Sequence, residues 1–162
     1  IGVPHIHHYL DDFVVLGAPR SDECPRALDK LIATCSTLGI PLAAHKSEGP
    51  ATTITFLGIV VDTLSGELRL PAEKLERMRT LLVDWGDKKS CTRRELESLI
   101  GHLSHACKVI RPGRSFLRRM IELLHHNENA QHVRLNRNFR SDLQWWKAFA
   151  TSWNSISYLH GN

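Results

Sequence analysis

Two adjacent carboxylates, Asp11 and Asp12, lie between two short apolar runs near the start of the chain. The runs 4–9 and 13–17 have the composition of β-strands, so the pair falls at or beside the tip of a predicted β-hairpin. Like charges at a tight turn repel each other, and a hard divalent cation such as Mg²⁺ would neutralise them through carboxylate oxygens. The pair therefore predicts either a metal-binding hairpin or, as the commoner alternative, a solvated Asp-Asp turn.

A second chemical feature is a run of basic residues without any acid. The formal net charge is +4 at pH 7, a mild excess that is compatible with a polyanionic partner. Contact with nucleic-acid phosphates is one interpretation of the run, and a solvated surface is the other. The run comprises Lys108, Arg111, Arg114, Arg118 and Arg119, and Arg134, Arg137 and Arg140 follow it.

The elements that would position the carboxylates combine strands and a helix. After the first hairpin, apolar residues at helical spacing predict one amphipathic helix that begins at Ser21 or Asp22 and ends at Gly39. The stretches 53–62 and 67–71, separated by 64–66, predict a second hairpin. We therefore expect residues 1–70 to form a mixed unit of hairpins and a helix.

From Pro71 onward the pattern is helical. Pro71 suits a first helical turn, Thr92 to Glu95 fits a capping box, and Pro112 with Gly113 predicts a break. Residues 127–138 are predicted to be a polar loop, and the last helix to begin at Ser141 or Asp142. The predicted fold class is α+β, with a hairpin-containing part in residues 1–70 and an all-helical part in residues 71–162.

The cysteines, histidines and tryptophans have simple structural interpretations. The four cysteines show no paired spacing, so we expect reduced thiols and an intracellular protein, cytoplasmic or nuclear. No apolar run approaches the roughly 20 residues of a membrane helix, so no membrane partner is expected. A zinc site built from His102, His105 and Cys107 is an alternative to ordinary histidines. Packing is the simplest role for Trp145, Trp146 and Trp153, with base stacking as the alternative.

The hairpin and the segments after it resemble a known family. "YLDDFVVLG" resembles the Y-x-D-D hairpin of reverse transcriptases, motif C of the palm, and "LGIPLAAHKSEGP" resembles motif D. "ITFLGIVVD" is similar to the FLG primer-grip hairpin, motif E. "LPAEKLERMRTLL" and "TRRELESLIGHLSHACKVIRPGRSFLRRMIELL" resemble the thumb and connection of retrotransposon polymerases of the DIRS-like group. "DLQWWKAFATSWNSISYL" resembles the stretch before an RNase H domain, so the resemblance covers nearly the whole chain.

The resemblance implies a part of an RNA-directed DNA polymerase, a nucleotidyltransferase that uses Mg²⁺. Asp11 would be a metal ligand, with Asp12 as the supporting carboxylate, and Lys46 would protonate the pyrophosphate leaving group. The partner would be an RNA–DNA hybrid or another template-primer. The residues near the primer end would be Tyr9, Leu10, Phe56, Leu57 and Gly58. The residues in contact with the nucleic-acid backbone would be Lys108, Arg111, Arg114, Arg118 and Arg119.

The resemblance also implies that parts of the enzyme are missing. The motif A aspartate and the fingers with motif B lie before the Y-x-D-D hairpin in the family, where this chain has only Ile1 to His8. The RNase H carboxylates are absent as well. We expect an excised or processed fragment that is inactive alone and pairs with a fingers–palm portion or with itself. The alternative is a retained, non-catalytic module that binds nucleic acid or protein, or that oligomerises.

Overall fold

The predicted α+β class is confirmed by a computed structural model that describes residues 5–153 and 156–158. The described strands are β1 (Ile6–Tyr9), β2 (Asp12–Val15), β3 (Thr53–Phe56), β4 (Ile59–Asp62), β5 (Glu67–Arg69), β6 (Ser90–Thr92), β7 (His132–Arg134) and β8 (Ile156–Tyr158). The helices are α1 (Glu23–Thr37), α2 (Ala72–Asp84), α3 (Arg93–Ala106), α4 (Arg118–His125) and α5 (Arg137–Ser152). Two short 3-10 helices span Ala44–Lys46 and Arg111–Phe116.

The first unit consists of β1, β2 and α1. Among the described residues the two strands pair only with each other, and the Cys24 thiol of α1 donates to the carbonyl of Val15 at 3.7 Å. An isolated two-stranded hairpin is marginally stable in water, so this helix is needed to support it. The buried side chains of α1 are Ala27, Leu31 and Cys35, and none of them belongs to the main core. The unit that carries the two carboxylates therefore has a small packing cluster of its own.

The second sheet joins the two halves of the chain. Its strand order is β3-β4-β5-β8, and β8 places Tyr158 opposite Glu67 of β5. The turn between β3 and β4 lies at Leu57 and Gly58, so the stretch 53–62 is two strands rather than the single arm that its composition predicted. Residues beyond 71 thus complete a sheet that begins before the predicted boundary.

The prediction of an all-helical part after residue 71 was wrong in detail. Residues 71–162 contain β6, β7 and β8, each of three residues, and β7 lies within the predicted polar loop. Cys91 and Val133 pair across β6 and β7, and both are buried. The burial of both side chains explains the pairing. Neither strand was predicted, because three residues are too few to show the alternation by which a strand is predicted.

The start of the last helix and the break at Pro112 also differ from prediction. Helix α5 begins at Arg137 rather than near Ser141, because the Asn136 side chain accepts a hydrogen bond from the amide of Phe139 at 2.8 Å. The chain does not simply break at Pro112 but forms a 3-10 turn that leads into α4. The capping box of Thr92 and Glu95 is confirmed at the start of α3.

The main core lies among α2, α3, α4, α5 and the β6–β7 pair. Leu99, Leu103, Met120, Phe139 and Trp146 are each fully buried within it. All four cysteines are free, as expected from their spacing. No helix of the described residues is both long and apolar enough to cross a membrane.

Candidate functional site

The two carboxylates lie at a two-residue hairpin turn. Strands β1 and β2 are joined by Leu10 and Asp11, and Tyr9 is paired directly with Asp12. Residues directly opposite each other in an antiparallel pair share a face, so the side chains of Tyr9 and Asp12 project from the same side. Asp11 occupies the turn itself. The structure therefore separates the roles of the pair, with one carboxylate at the tip and the other on a strand face.

Leu10 has an unusual backbone conformation. Its φ is 54°, in the left-handed region, and Asp11 is not among the described residues with positive φ. In a two-residue hairpin turn whose first central residue has a positive φ, that residue is normally glycine. An L-residue in this region costs about 1–2 kcal/mol. Because such strain persists mainly at sites with a function, it supports a functional role for the hairpin tip.

The hairpin tip is open to solvent. Tyr9 is 60% exposed and Leu10 is 78% exposed, and both carboxylates are exposed as well. Within the described part of the chain, neither Asp11 nor Asp12 forms an ion pair or a side-chain hydrogen bond. Their oxygens suit a hard cation such as Mg²⁺. The described residues contain no group of three or more His, Cys, Asp or Glu side chains placed to hold a metal ion.

Lys46 belongs to a different element from the two carboxylates. It ends the 3-10 helix Ala44–Lys46, and its side chain is exposed. No hydrogen bond or ion pair among the described residues joins Lys46 to Asp11 or Asp12. Its ammonium group is therefore available to a partner, but this chain does not itself hold it against the carboxylates.

The Phe56-Leu57-Gly58 segment forms a second tight turn that is held by the helices. Leu57 has φ 50° and Gly58 has φ 70°, the pair of left-handed conformations required by a type I′ hairpin turn. Lys74 of α2 donates from Nζ to the Gly58 carbonyl at 3.4 Å, and His105 of α3 donates from Nε2 to the Leu57 carbonyl at 3.1 Å. Both carbonyls at the turn are thus tied to helices of the second half of the chain.

A groove runs between α2 and α3 beside this turn. It has a volume of about 450 Å³, and its apolar lining comes from Leu70, Met78 and Ala106. In the described part of the chain, no acidic side chain lines the groove. The groove was not predicted, although its basic residues are visible in the sequence as pairs spaced three residues apart on each helix. Its basic residues are Lys74, Arg77, His102 and His105.

The five basic residues predicted to follow a nucleic-acid backbone are all exposed, but they differ in their partners. Arg118 pairs with Glu122 at 2.9 Å, and Arg119 pairs with the buried carboxylate of Asp142. Lys108, Arg111 and Arg114 form no ion pair among the described residues. The structure therefore leaves three members of the run free to contact phosphate and uses Arg119 to hold two helices together.

The alternative roles of the tryptophans and histidines meet geometric obstacles. Trp146 is fully buried, and Trp145 is stacked between Phe116 at 3.9 Å and Phe149 at 5.0 Å between ring centroids. Neither ring therefore has a free face for a base. Burial raises the pKa of the Cys107 thiol to about 11, and the described residues do not bring His102, His105 and Cys107 together as a group that could hold a metal ion.

Comparisons of the chain with protein-family models, with curated proteins and with solved structures give no match. Hypotheses about its function accordingly depend on the motifs in the sequence and on the geometry of the described residues.

Proposed function

We propose that this chain is the template-primer-binding part of an RNA-directed DNA polymerase, a retroelement reverse transcriptase. In this proposal it spans the end of the palm, the thumb and the connection. The observation that carries the proposal is the turn at Leu57 and Gly58, which Lys74 and His105 fix beside a basic groove. A polymerase must hold the primer end still relative to the duplex, and a turn tied to two helices is suited to that task.

The groove has the composition expected of a surface that binds a nucleic-acid backbone. Its basic residues would attract phosphates, a contact that is independent of base sequence and weakens with salt. Its apolar lining by Leu70, Met78 and Ala106 would lie against the sugar edges of the same strand. In the proposal Tyr9, Leu10 and Phe56 lie near the primer end, and Lys108, Arg111 and Arg114 extend the contact along the duplex.

The carboxylates would contribute to catalysis only in a completed site. Bound Mg²⁺ would supply activation of the primer hydroxyl and neutralisation of the phosphates. Asp11 and Asp12 would hold such an ion with oxygens, and the exposed ammonium of Lys46 would donate a proton to the leaving pyrophosphate. Nucleotidyl transfer depends on positioning and on charge neutralisation, so this half of a site alone is not expected to incorporate nucleotides.

Fluorescence anisotropy of a labelled RNA–DNA hybrid tests the proposed groove. Arg77→Gln removes an exposed cation of the groove without touching the two residues that tie the turn. We expect it to weaken binding several-fold and to lower the slope of log affinity against log salt by about 0.9. Arg26→Gln removes the same charge from α1 and should leave the slope unchanged. Equal effects of the two substitutions, or no binding by the wild type in low salt, would contradict the proposal.

The same experiment, carried out with and without Mg²⁺, tests whether the carboxylates hold a metal ion. Mg²⁺ should change the affinity of the wild-type chain for the hybrid, and this change should be lost in Asp11→Asn. Asp29→Asn, which removes an exposed carboxylate from α1, is the matched control and should keep the Mg²⁺ effect. If both variants keep it, Asp11 does not hold the ion.

A second function is favoured by one further observation, the exposed apolar surface of the first unit and the loop after it. Such clustering marks protein interaction sites, so the chain would serve as a protein-binding or oligomerising module. Sedimentation analysis across a concentration series tests self-association, and a monomer at all concentrations would contradict the oligomerising role. The exposed residues are Tyr9, Leu10, Phe13, Leu16, Ile32, Leu38, Ile40 and Leu42.

A further inference from the structure

The solvent-facing side of α5 carries basic residues and no acid. Arg137, Arg140, Gln144 and Lys147 recur at spacings of three and four residues, which places them on one side of the helix. We call these four residues the α5 cationic face. The acid of this helix, Asp142, is 0% exposed and is paired with Arg119 on the opposite side. The positive charge of the face is therefore not neutralised from within its own helix.

A groove of about 490 Å³ lies along this face, between α5 and Gly86 in the segment that follows α2. Its lining contains Arg140, Gln144 and Lys147 of the face, and no acidic side chain of the residues that the structure describes, although Asp84 and Asp87 lie nearby in the sequence. A Cβ atom added to Gly86 would lie 2.7 Å from Lys147 Nζ, so this ammonium group rests over the glycine backbone. None of the three cations of the face forms an ion pair among the described residues.

The position of two of these cations is unfavourable for the helix. Arg137 and Arg140 lie in the first turn of α5, which contains no acidic residue. A cation near a helix N-terminus opposes the helix dipole and costs roughly 0.3–1 kcal/mol. Neither helix stability nor an ion pair therefore accounts for the charge of this face, whereas an external polyanion would.

We infer that the α5 cationic face binds the phosphodiester backbone of nucleic acid, as a second contact beyond the groove of α2 and α3. Arg137 and Lys147 are about 15 Å apart along the helix at 1.5 Å per residue. Measured along the axis of a B-form duplex, where the phosphates of one strand rise by roughly 3.4 Å each, this distance corresponds to about four phosphates. The guanidinium of Arg140 and the ammonium of Lys147 contact phosphate oxygens, and the amide of Gln144 donates between them. The inference rests on the proposed function, because it extends the same template-primer contact to a further helix.

Binding of a labelled RNA–DNA hybrid from about 50 to about 200 mM salt tests the inference. The double variant Arg140→Gln/Lys147→Gln should bind roughly tenfold more weakly at the lowest salt, with a slope smaller by about 1.8. Arg140→Lys/Lys147→Arg keeps the charge and should keep both values. Arg20→Gln/Arg26→Gln, with the same charge loss in the first unit, is the matched control, and circular dichroism verifies that every variant is folded.

The outcomes distinguish this inference from the proposed function. Weaker binding by the Gln double variant, with the charge-keeping and control variants unchanged, supports the inference. If the double variant binds like the wild type while Arg77→Gln is weakened, the α5 contact is wrong and the proposed groove stands. If the double variant is weakened and Arg77→Gln is not, the α5 contact stands and the proposed groove is wrong. A wild-type chain that does not bind the hybrid at the lowest salt overturns both.

Discussion

Arg119 of α4 reaches across to α5 and donates two hydrogen bonds to the carboxylate of Asp142. Its Nε lies 2.9 Å from one oxygen, and a terminal nitrogen contacts the other. Asp142 is completely buried, whereas the Arg119 side chain is 43% exposed. The hydrogen bonds from Arg119 to Asp142 raise the pKa of the guanidinium. This pair links α4 to α5, the helix that carries Arg137, Arg140 and Lys147.

Arg119→Ala should lower the free energy of unfolding, because it leaves the buried carboxylate of Asp142 without its partner. Urea denaturation followed by tryptophan fluorescence measures the change. The adjacent Arg118 offers a matched control, since it pairs with Glu122 on the surface and is 82% exposed. Arg118→Ala should change stability by less than about 1 kcal/mol. Similar losses in the two variants would mean that burial of Asp142 is not decisive.

The capping box of α3 should make stability depend on pH in the acid range. Hydrogen bonds from Lys88 and from the Thr92 backbone and side chain lower the pKa of Glu95 from 4.5 to about 2. A lowered pKa in the folded state means that the ionised form stabilises the fold. This contribution is complete above pH 4.5 and is lost as the pH falls toward 2.

The test is urea denaturation between pH 7 and pH 2 of the wild type and of Glu95→Gln. Glutamine can keep the hydrogen bond to the N-cap amide but cannot ionise. The variant should therefore be less stable at neutral pH and lose less stability on acidification. Parallel curves for the two proteins would show that another carboxylate governs this range.

Gly113 allows close approach of Trp146 and should not tolerate alanine. An added Cβ would lie 2.3 Å from the Trp146 ring and 3.1 Å from the Cys107 sulfur, both in the core. Gly113→Ala should therefore destabilise the protein by about 1–3 kcal/mol through overpacking. Gly101, inside α3, has nothing within 4 Å of an added Cβ. Gly101→Ala should stabilise by about 0.5–1 kcal/mol, and thermal denaturation of both variants compares the two signs.

Leu10→Gly should relieve the strained turn at the carboxylates. Its left-handed φ of 54° suits glycine, and its side chain is 78% exposed, so little packing is lost. We expect a gain of roughly 1 kcal/mol. Leu64 is equally exposed, at 81%, but lacks a positive φ, so Leu64→Gly should be neutral or destabilising. If Leu10→Gly also weakens hybrid binding, the strained leucine serves recognition at the expense of stability.

The elements predicted well from the sequence are those whose signals are local. The capping residues Thr92 and Glu95, and the helix between Pro71 and Gly86, depend on contacts within a few residues. The pairing of Cys91 with Val133 depends on residues far apart in the chain, so no local pattern could predict it. For the same reason the contacts of Lys74 and His105 with the turn could not be predicted, since they require the packing of both helices against the second sheet.

The pairing of β5 with β8 has a consequence during synthesis. Glu67 and Tyr158 lie about 90 positions apart, so the edge of β5 emerges long before its partner strand is made. At roughly 5–20 residues per second, the nascent chain would wait about 5–18 s with that edge open. An unpaired strand edge is a template for association with other chains. We therefore expect a requirement for chaperone protection on the ribosome, and late completion of the sheet that carries the Leu57–Gly58 turn.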